Sequence, residues 1–399
     1  SDAPLLQAIS QAAQRQIATF DPQNVTNTAW AFAVLLVHDL PFLDAIALRF
    51  LSLRGRDASE NWRIEEIPPQ ELANLSWACA KLGYLNQPLM DAIAAASVEN
   101  IPEFSPLNLS ITAWSFAALR IRDCTLFEAL AEASVSKIAA FSQQHLSNTA
   151  WALATIPVLD KPLLSAISIA SLPSMSYCDQ QNLANTAWAL ASLLYTDGPL
   201  LQAISEQAVH LITEFQVQGV ANLVWAVAKL AFANLPLMDA MASSALSTSL
   251  RKSSASDWEA QNLSNTVWAF AALLIVHTPL IDAISAASQA TLPDFDQQAL
   301  SSTAWSMAIL QVEDLPLLAA IASNVVLKML EFLPQGISNT AWACAVLAFY
   351  DKPLFDALSA AACCKISAFD GQGLSNTAWS FALLHLRDLP LFHAISASA

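Results

Sequence analysis

Apolar positions along this chain recur at helical spacing and then recur again as a block. The block's core string reads Leu-Ser-Asn-Thr-Ala-Trp-Ala-Leu-Ala at residues 146–154 and, nearly unchanged, at 374–382. Its Trp falls at Trp30, Trp77, Trp114, Trp151, Trp188, Trp225, Trp268, Trp305, Trp342 and Trp379, mostly 37 residues apart. A recurring period of this size predicts a solenoid in which each copy buries its apolar faces against the next. Each copy divides into two helices. The first, helix A, is apolar on two opposite sides, so it is packed on both. One side carries the Trp and the Ala three residues later; the other carries Phe32, Phe116, Phe270 or Phe381, two after the Trp. The Ala is present in all ten copies, which points to close helix–helix approach. The second, helix B, is amphipathic, with spacings such as Leu163, Leu164 and Ile167.

Capping residues mark where the helices start. Nine residues before the Trp stand Asp21, Ser105, Ser142, Asp179, Asp296 or Asp370. Nine after it stand Asp39, Asp123, Asp160, Asp197, Asp314, Asp351 or Asp388, and eleven after it nine of the ten copies carry Pro. A side-chain acceptor at the cap satisfies an unpaired N–H of a helix start, and Pro in the first turn lacks one of those N–H groups. Helix A is expected to run to about seven residues past its Trp. Alternation of period two is not seen, so the predicted class is all-α: a right-handed α-solenoid of ten 37-residue helix-hairpin repeats.

The repeat organises the whole of 1–399 as a single solenoid. Residues 1–19 match a lone helix B, and ten repeats fill 20–399, with insertions near 50–60 and 250–256. Solenoid ends normally carry polar caps. Neither end has one, which leads to the expectation that the chain is a piece of a longer protein or that partner proteins cover its ends.

Composition narrows the chemistry. Gly is 7 in 399, too few for phosphate-cradling Gly-rich loops. The longest apolar run, Val267 to Val276, is half the length a membrane helix needs, so no membrane insertion is expected, and no targeting segment opens the chain. The six His occupy six different registers, and the six Cys include no C-x-x-C pair. No catalytic constellation, metal site or cofactor motif emerges, so the expectation is a protein that is not an enzyme.

The repeated polar residues carry the functional signal. Asn lies three before the Trp at Asn27, Asn74, Asn148, Asn185, Asn222, Asn265, Asn339 and Asn376, and Gln lies four earlier still in nine copies. Asn is unfavourable inside a helix, so its recurrence has a cause. Either each amide bonds the backbone of a neighbouring repeat, or the amides form a line along an inner groove that bonds an extended ligand. Side chains four and eight after the Trp vary between copies, as reading a nonrepetitive ligand requires; among them are Lys81, Arg122, Lys229 and Arg387.

The net charge is -16, from 17 basic and 33 acidic residues. Many acids sit at helix starts, where they complement the dipole. From seven before to eight after each Trp, the cations Lys81, Arg120, Arg122, Lys229 and Arg387 face only Glu71 and Glu313. The inner face is thus close to neutral within an acidic shell.

The 37-residue unit and strings such as Ser264 to Ala271 resemble the heptatricopeptide repeat family, and more distantly the octotricopeptide and FAST-kinase-like solenoids. The resemblance covers nearly the whole chain. It implies a mitochondrial or plastid protein that binds single-stranded RNA and acts in transcript processing, stability or ribosome assembly. The alternative is a scaffold subunit of an organellar complex, holding an extended protein segment or partner subunits, as armadillo-type solenoids do with grooves of Trp and Asn.

Overall fold

The computed structural model describes residues 3–53, 67–247 and 258–398. All regular elements among them are helical. In chain order the helices are α1 (Ala3–Gln16), α2 (Pro22–Val34), α3 (Leu40–Leu53), α4 (Pro69–Lys81), α5 (Gln87–Glu99), α6 (Pro106–Ala118), α7 (Cys124–Lys137), α8 (Gln143–Thr155), α9 (Lys161–Ser171) and α10 (Gln180–Ser192). They continue with α11 (Gly198–His210), α12 (Val217–Lys229), α13 (Leu235–Ala245), α14 (Ala260–Ala272), α15 (Thr278–Thr291), α16 (Gln297–Ile309), α17 (Leu315–Lys328), α18 (Pro334–Val346), α19 (Lys352–Lys365), α20 (Gly371–Leu383) and α21 (Leu389–Ser398). Even numbers are A helices and odd numbers B helices. The chain divides into two compact units, Ser1–Leu200 and Leu201–Ala399. The two insertions inferred from the repeat lie mostly outside the described residues.

Each unit is an all-α solenoid. In the first, α2, α4, α6, α8 and α10 pack side by side in succession; in the second, α12, α14, α16, α18 and α20 do the same. Contacts between successive A helices are far more extensive than those between successive B helices. Small residues explain this. Ala150 and Ala152 flank Trp151, Ala187 and Ala189 flank Trp188, and all four are fully buried, so one backbone comes close to the next. The residues five before and two after the Trp, such as Leu146 and Leu153 or Leu263 and Phe270, are buried as well. A Phe ten before the Trp anchors the turn entering helix A, with Phe104, Phe295 and Phe332 wholly inside. Trp258 and Cys178 take that position in two copies and are also buried.

The predicted caps form. Asp21, Ser105, Ser142, Asp179, Asp296 and Asp370 each accept a hydrogen bond from the backbone N–H three residues on. All seven Asp at the start of helix B do likewise. Three of them also hold the preceding B helix. Ser10 Oγ donates to Asp39 Oδ2 over 2.5 Å, Ser168 Oγ to Asp197 over 2.7 Å, and Ser285 Oγ to Asp314. At the other end of helix B, Lys137 Nζ donates to the carbonyls of Pro102 and Phe104, and Lys328 and Lys365 repeat the arrangement. These cations satisfy turn carbonyls and are not available to a ligand.

Helix A ends four residues after its Trp, not seven. The residue six after the Trp has positive φ: Leu36, Arg120, Leu194, Ala231, Leu274, Gln311, Ala348 and His385 lie between 51° and 57°, and Gly83 at 60°. The next N–H reaches back to a carbonyl in the last turn, as from Val37 to Phe32 over 2.9 Å and from Ile275 to Phe270 over 2.9 Å. This is a Schellman stop, usually built on Gly because a β-carbon is disfavoured there. Pro157 takes the position in the fourth copy; without an N–H it makes no shorter bond, but Val158 still bonds Leu153 O over 2.8 Å. With Leu, Arg or Ala in place of Gly, the sequence carries no sign of the stop.

Candidate nucleic-acid interface

Helix A is buried on both flanks, so a single ridge of it faces outward, and the repeat puts the same residue types on every ridge. The Trp rings of successive A helices meet in a tilted arrangement. Centroids are 6.2 Å apart for Trp114 and Trp151, 6.4 Å for Trp151 and Trp188, and 6.5 Å for Trp225 and Trp268, with interplanar angles of 31° to 38°. Each of these rings is half-buried, packed against one neighbouring ring or, for Trp151, between two. The expected packing role and a surface role therefore coexist in one side chain.

The Asn three before the Trp is half-buried in seven copies and exposed at Asn27. Among the described residues, none of these eight side chains makes a hydrogen bond to the protein, whether to the next repeat's backbone or elsewhere. The bond that fixes register comes from another position. Asn108, Asn182 and Asn262, six before the Trp, are the buried asparagines of helix A, and Ser147 Oγ donates to Asn182 Oδ1 of the next repeat over 2.9 Å. Gln143 helps from eight before the Trp, its Nε2 donating to Ser171 O over 2.8 Å and to Ser174 Oγ over 2.7 Å. This register was not legible because its identity varies; the recurrence of Asn in four copies, exposed Asn24 among them, was the available signal. The Gln seven before the Trp is exposed in all nine copies.

Grooves between A helices gather these groups. In the second unit an open concavity of about 380 Å³ is lined by Trp225, Lys229, Asn265, Trp268, Gln298, Gln335 and Asn339, among others. It combines two aromatic faces, unpaired amides and one cation, a set able to stack flat rings and bond their edges. A neighbouring concavity of about 400 Å³ is lined by Gln335, Asn339, Gln372 and Asn376. A third, of about 560 Å³, lies nearer the helix starts and holds Glu259, Asp294 and Asp296 beside Gln261 and Asn265. In this unit the acids gather where helix A begins, and Lys229 places a cation where α12 ends.

Lys81 and Lys229 are the last residues of α4 and α12 and are exposed, on the same side of helix A as the Trp four residues earlier. Arg122 and Arg387 are exposed too, but lie in the turns after α6 and α20 rather than on helix A. The early helix stop takes them off the ridge. Several other titratable groups belong to the packing. Burial pushes the thiols of Cys79, Cys178 and Cys344 up to about 12, making them unreactive. Burial also lowers the His145 pKa, and that ring caps its own helix start. Among the described residues no group of three or more His, Cys, Asp or Glu could hold a metal, and no helix is long and apolar enough to cross a membrane.

Comparison with known proteins gives one family. The model of the RNA-editing substrate-binding complex 6 protein (RESC6) matches residues 15–256 and 246–389. No curated protein sequence matches the chain. Among solved structures, a chain titled as a homology model of the full-length AP-3 complex in an intermediate open conformation is similar at 9% identity and a TM-score of 0.30. That likeness covers 96% of this chain and 81% of the other and is too weak to carry an argument. The finer resemblance to heptatricopeptide repeats gains no support from these matches, whereas an RNA-associated helical-repeat family does. Matched over nearly its whole length, the chain belongs to the family of RNA-editing substrate-binding complex 6 proteins.

Proposed function

We propose that this protein binds single-stranded RNA along its A helices as a non-catalytic subunit of an RNA-editing complex. The observation that carries the reading is the row of half-open Trp rings 6.2–6.5 Å apart, flanked by amides with no protein partner. Stacking of a base on an aromatic ring contributes about 1–3 kcal/mol and tolerates any base. Free Asn and Gln amides add donors and acceptors for base edges. The name of the matching family supports RNA as the ligand class and a complex as the setting. Of the two organelles implied by the repeat, it lends support to the mitochondrion and none to the plastid.

The ridge holds few cations, so stacking and amide bonds supply most of the affinity, and Lys81 and Lys229 hold phosphates at the helix ends. Charge reversal at both (Lys81→Glu with Lys229→Glu) is expected to weaken binding of a single-stranded RNA oligonucleotide in a filter or anisotropy assay by at least about tenfold and to lower its salt dependence. A second reading, a protein-interaction scaffold in the same complex, is favoured by the net charge of -16, which repels nucleic acid at long range. Unchanged RNA affinity in the double variant would put that scaffold reading ahead.

A further inference from the structure

The concavity of about 560 Å³ at the starts of α14 and α16 holds more polar groups than stacking requires. Glu259 stands at the cap position of α14 yet makes no cap bond. Asp294 lies in the turn before α16. Asp296 caps α16, its Oδ1 accepting from Ala299 N–H over 2.7 Å. The carboxylates of Glu259 and Asp294 have no hydrogen bond or ion pair among the described residues. Among those residues no cation lines the concavity, and Lys328 is tied to the carbonyls of Pro293 and Phe295 at 2.6 Å each.

The repeat itself does not call for these two acids. In the matching concavity between α18 and α20, Leu333 and Ala368 take the places of Glu259 and Asp294. The wall holds a further unmet group. Trp258 lines the concavity at the position that Phe295 and Phe332 fill in the next two copies; it is 1% exposed, and its Nε1–H finds no acceptor in the protein. Phe packs in that position without leaving a donor unpaired. A ligand suited to the concavity therefore offers donors to free carboxylates and an acceptor to the indole.

An arginine or lysine head offers donors only and leaves the indole unmet. A nucleobase with an amino group offers both. The concavity shares Asn265, Gln298 and Ser302 with the groove of Trp225 and Trp268, so a strand lying on those rings runs into it. Guanine has the best match: its N1–H and N2–H₂ point the same way and reach both oxygens of one carboxylate, while O6 and N7 accept. Adenine and cytosine set an acceptor beside their amino group, and uracil sets its N–H between two carbonyls; a carboxylate repels each of these acceptors. Building on RNA binding along the A helices, we propose that this concavity is a base-selective pocket that takes one guanine of a single strand, with Glu259 and Asp294 reading its amino edge.

The test measures the affinity of the full chain for an oligouridine and for the same strand with one central guanosine. The parent is expected to hold the guanosine strand at least about fivefold more tightly. Glu259→Gln with Asp294→Asn is expected to bring that ratio to about one. If the acids act only by long-range repulsion of phosphate, the variant raises both affinities together and keeps the ratio, which would overturn the proposal. Trp258→Phe, the residue of neighbouring copies, is expected to fold and to cut the ratio about twofold. Should the double variant fail to fold, the exposed single change Glu259→Gln is expected to cut it about threefold, and an unchanged ratio there overturns the proposal. Equal binding of the two strands by the parent overturns the pocket and leaves RNA binding on the ridge standing, whereas binding of neither overturns both. An arginine-containing peptide whose binding needs the two acids, without any guanosine preference, would assign the pocket to a protein partner instead.

Discussion

Ser147 of one A helix donates a hydrogen bond to Asn182 of the next, 2.9 Å away and buried from water. The pair locks stacking register from a position six before the Trp, and so releases the Asn three before the Trp from that duty. Asn182→Ala removes this bond between repeats, leaves the Ser147 hydroxyl on the Gln144 carbonyl of its own helix, and is expected to lower stability by about 0.5–1.5 kcal/mol in urea unfolding. Asn185→Ala, one turn further along the same helix, breaks no bond and favours the helix, so its stability is expected to stay within about 0.5 kcal/mol of the parent. A large loss at Asn185 would return the exposed amides to a structural role.

Trp151 lies between two aromatic neighbours, Trp114 at 6.2 Å and Trp188 at 6.4 Å. Trp151→Ala removes both contacts and half-buried ring area, and is expected to cost about 2–4 kcal/mol. Trp151→Phe keeps an aromatic face and is expected to recover most of it. Thermal melts of the two variants, compared with RNA affinity in the folded state, separate packing from stacking on the ligand.

The Schellman stops invert the usual rule for Gly and Ala. Ala348 has φ 51°, and Gly83 has φ 60° with open space around its missing β-carbon. Left-handed backbone disfavours a β-carbon by about 1 kcal/mol. Ala348→Gly is therefore expected to stabilise the protein by about 0.5–1 kcal/mol, and Gly83→Ala to destabilise it by about 1 kcal/mol. The opposite signs in chemical denaturation would show that the turn is not left-handed.

Alkaline pH is expected to weaken the fold. Burial raises the thiols of Cys79 and Cys344 from 9.0 to about 12, and burial with the Asp44 hydrogen bond raises Tyr84 from 10.0 to about 12. In the unfolded chain these groups ionise from about pH 9 upward, while in the folded chain they stay neutral. Their contribution is complete below pH 9 and is lost progressively as pH rises toward 12. Urea midpoints measured from pH 8 to 11 should fall, and Cys79→Ala with Cys344→Ala should flatten that slope. Equal slopes in parent and variant would assign the alkaline loss to other groups.

The repeat unit, the caps and the buried flanks of helix A were legible because each recurs in fixed register: Asp21 or Asp39 caps a helix wherever it stands. The helix stop was hidden because Leu36, Arg120 and Ala348 occupy a backbone conformation that Gly normally marks. That one miss took Arg122 and Arg387 off the ridge where spacing had put them. The line of Asn was legible as a recurrence, but its bonding was not, since a half-buried amide and a bonded one look alike in sequence. The Ser147–Asn182 pair was hidden for the opposite reason, its position being occupied by different residues in other copies.

The central claim is that the free amides of the ridge hold single-stranded RNA. Asn265 and Asn339 line one groove with Trp225, Trp268 and Lys229. The most direct measurement is the affinity of the Asn265→Ala, Asn339→Ala double variant for a single-stranded RNA oligonucleotide, beside its melting curve. The expected result is an unchanged melt with binding weaker by about 2–4 kcal/mol, about 1–2 for each lost amide. Parent-like RNA affinity in a normally folded double variant would contradict the account.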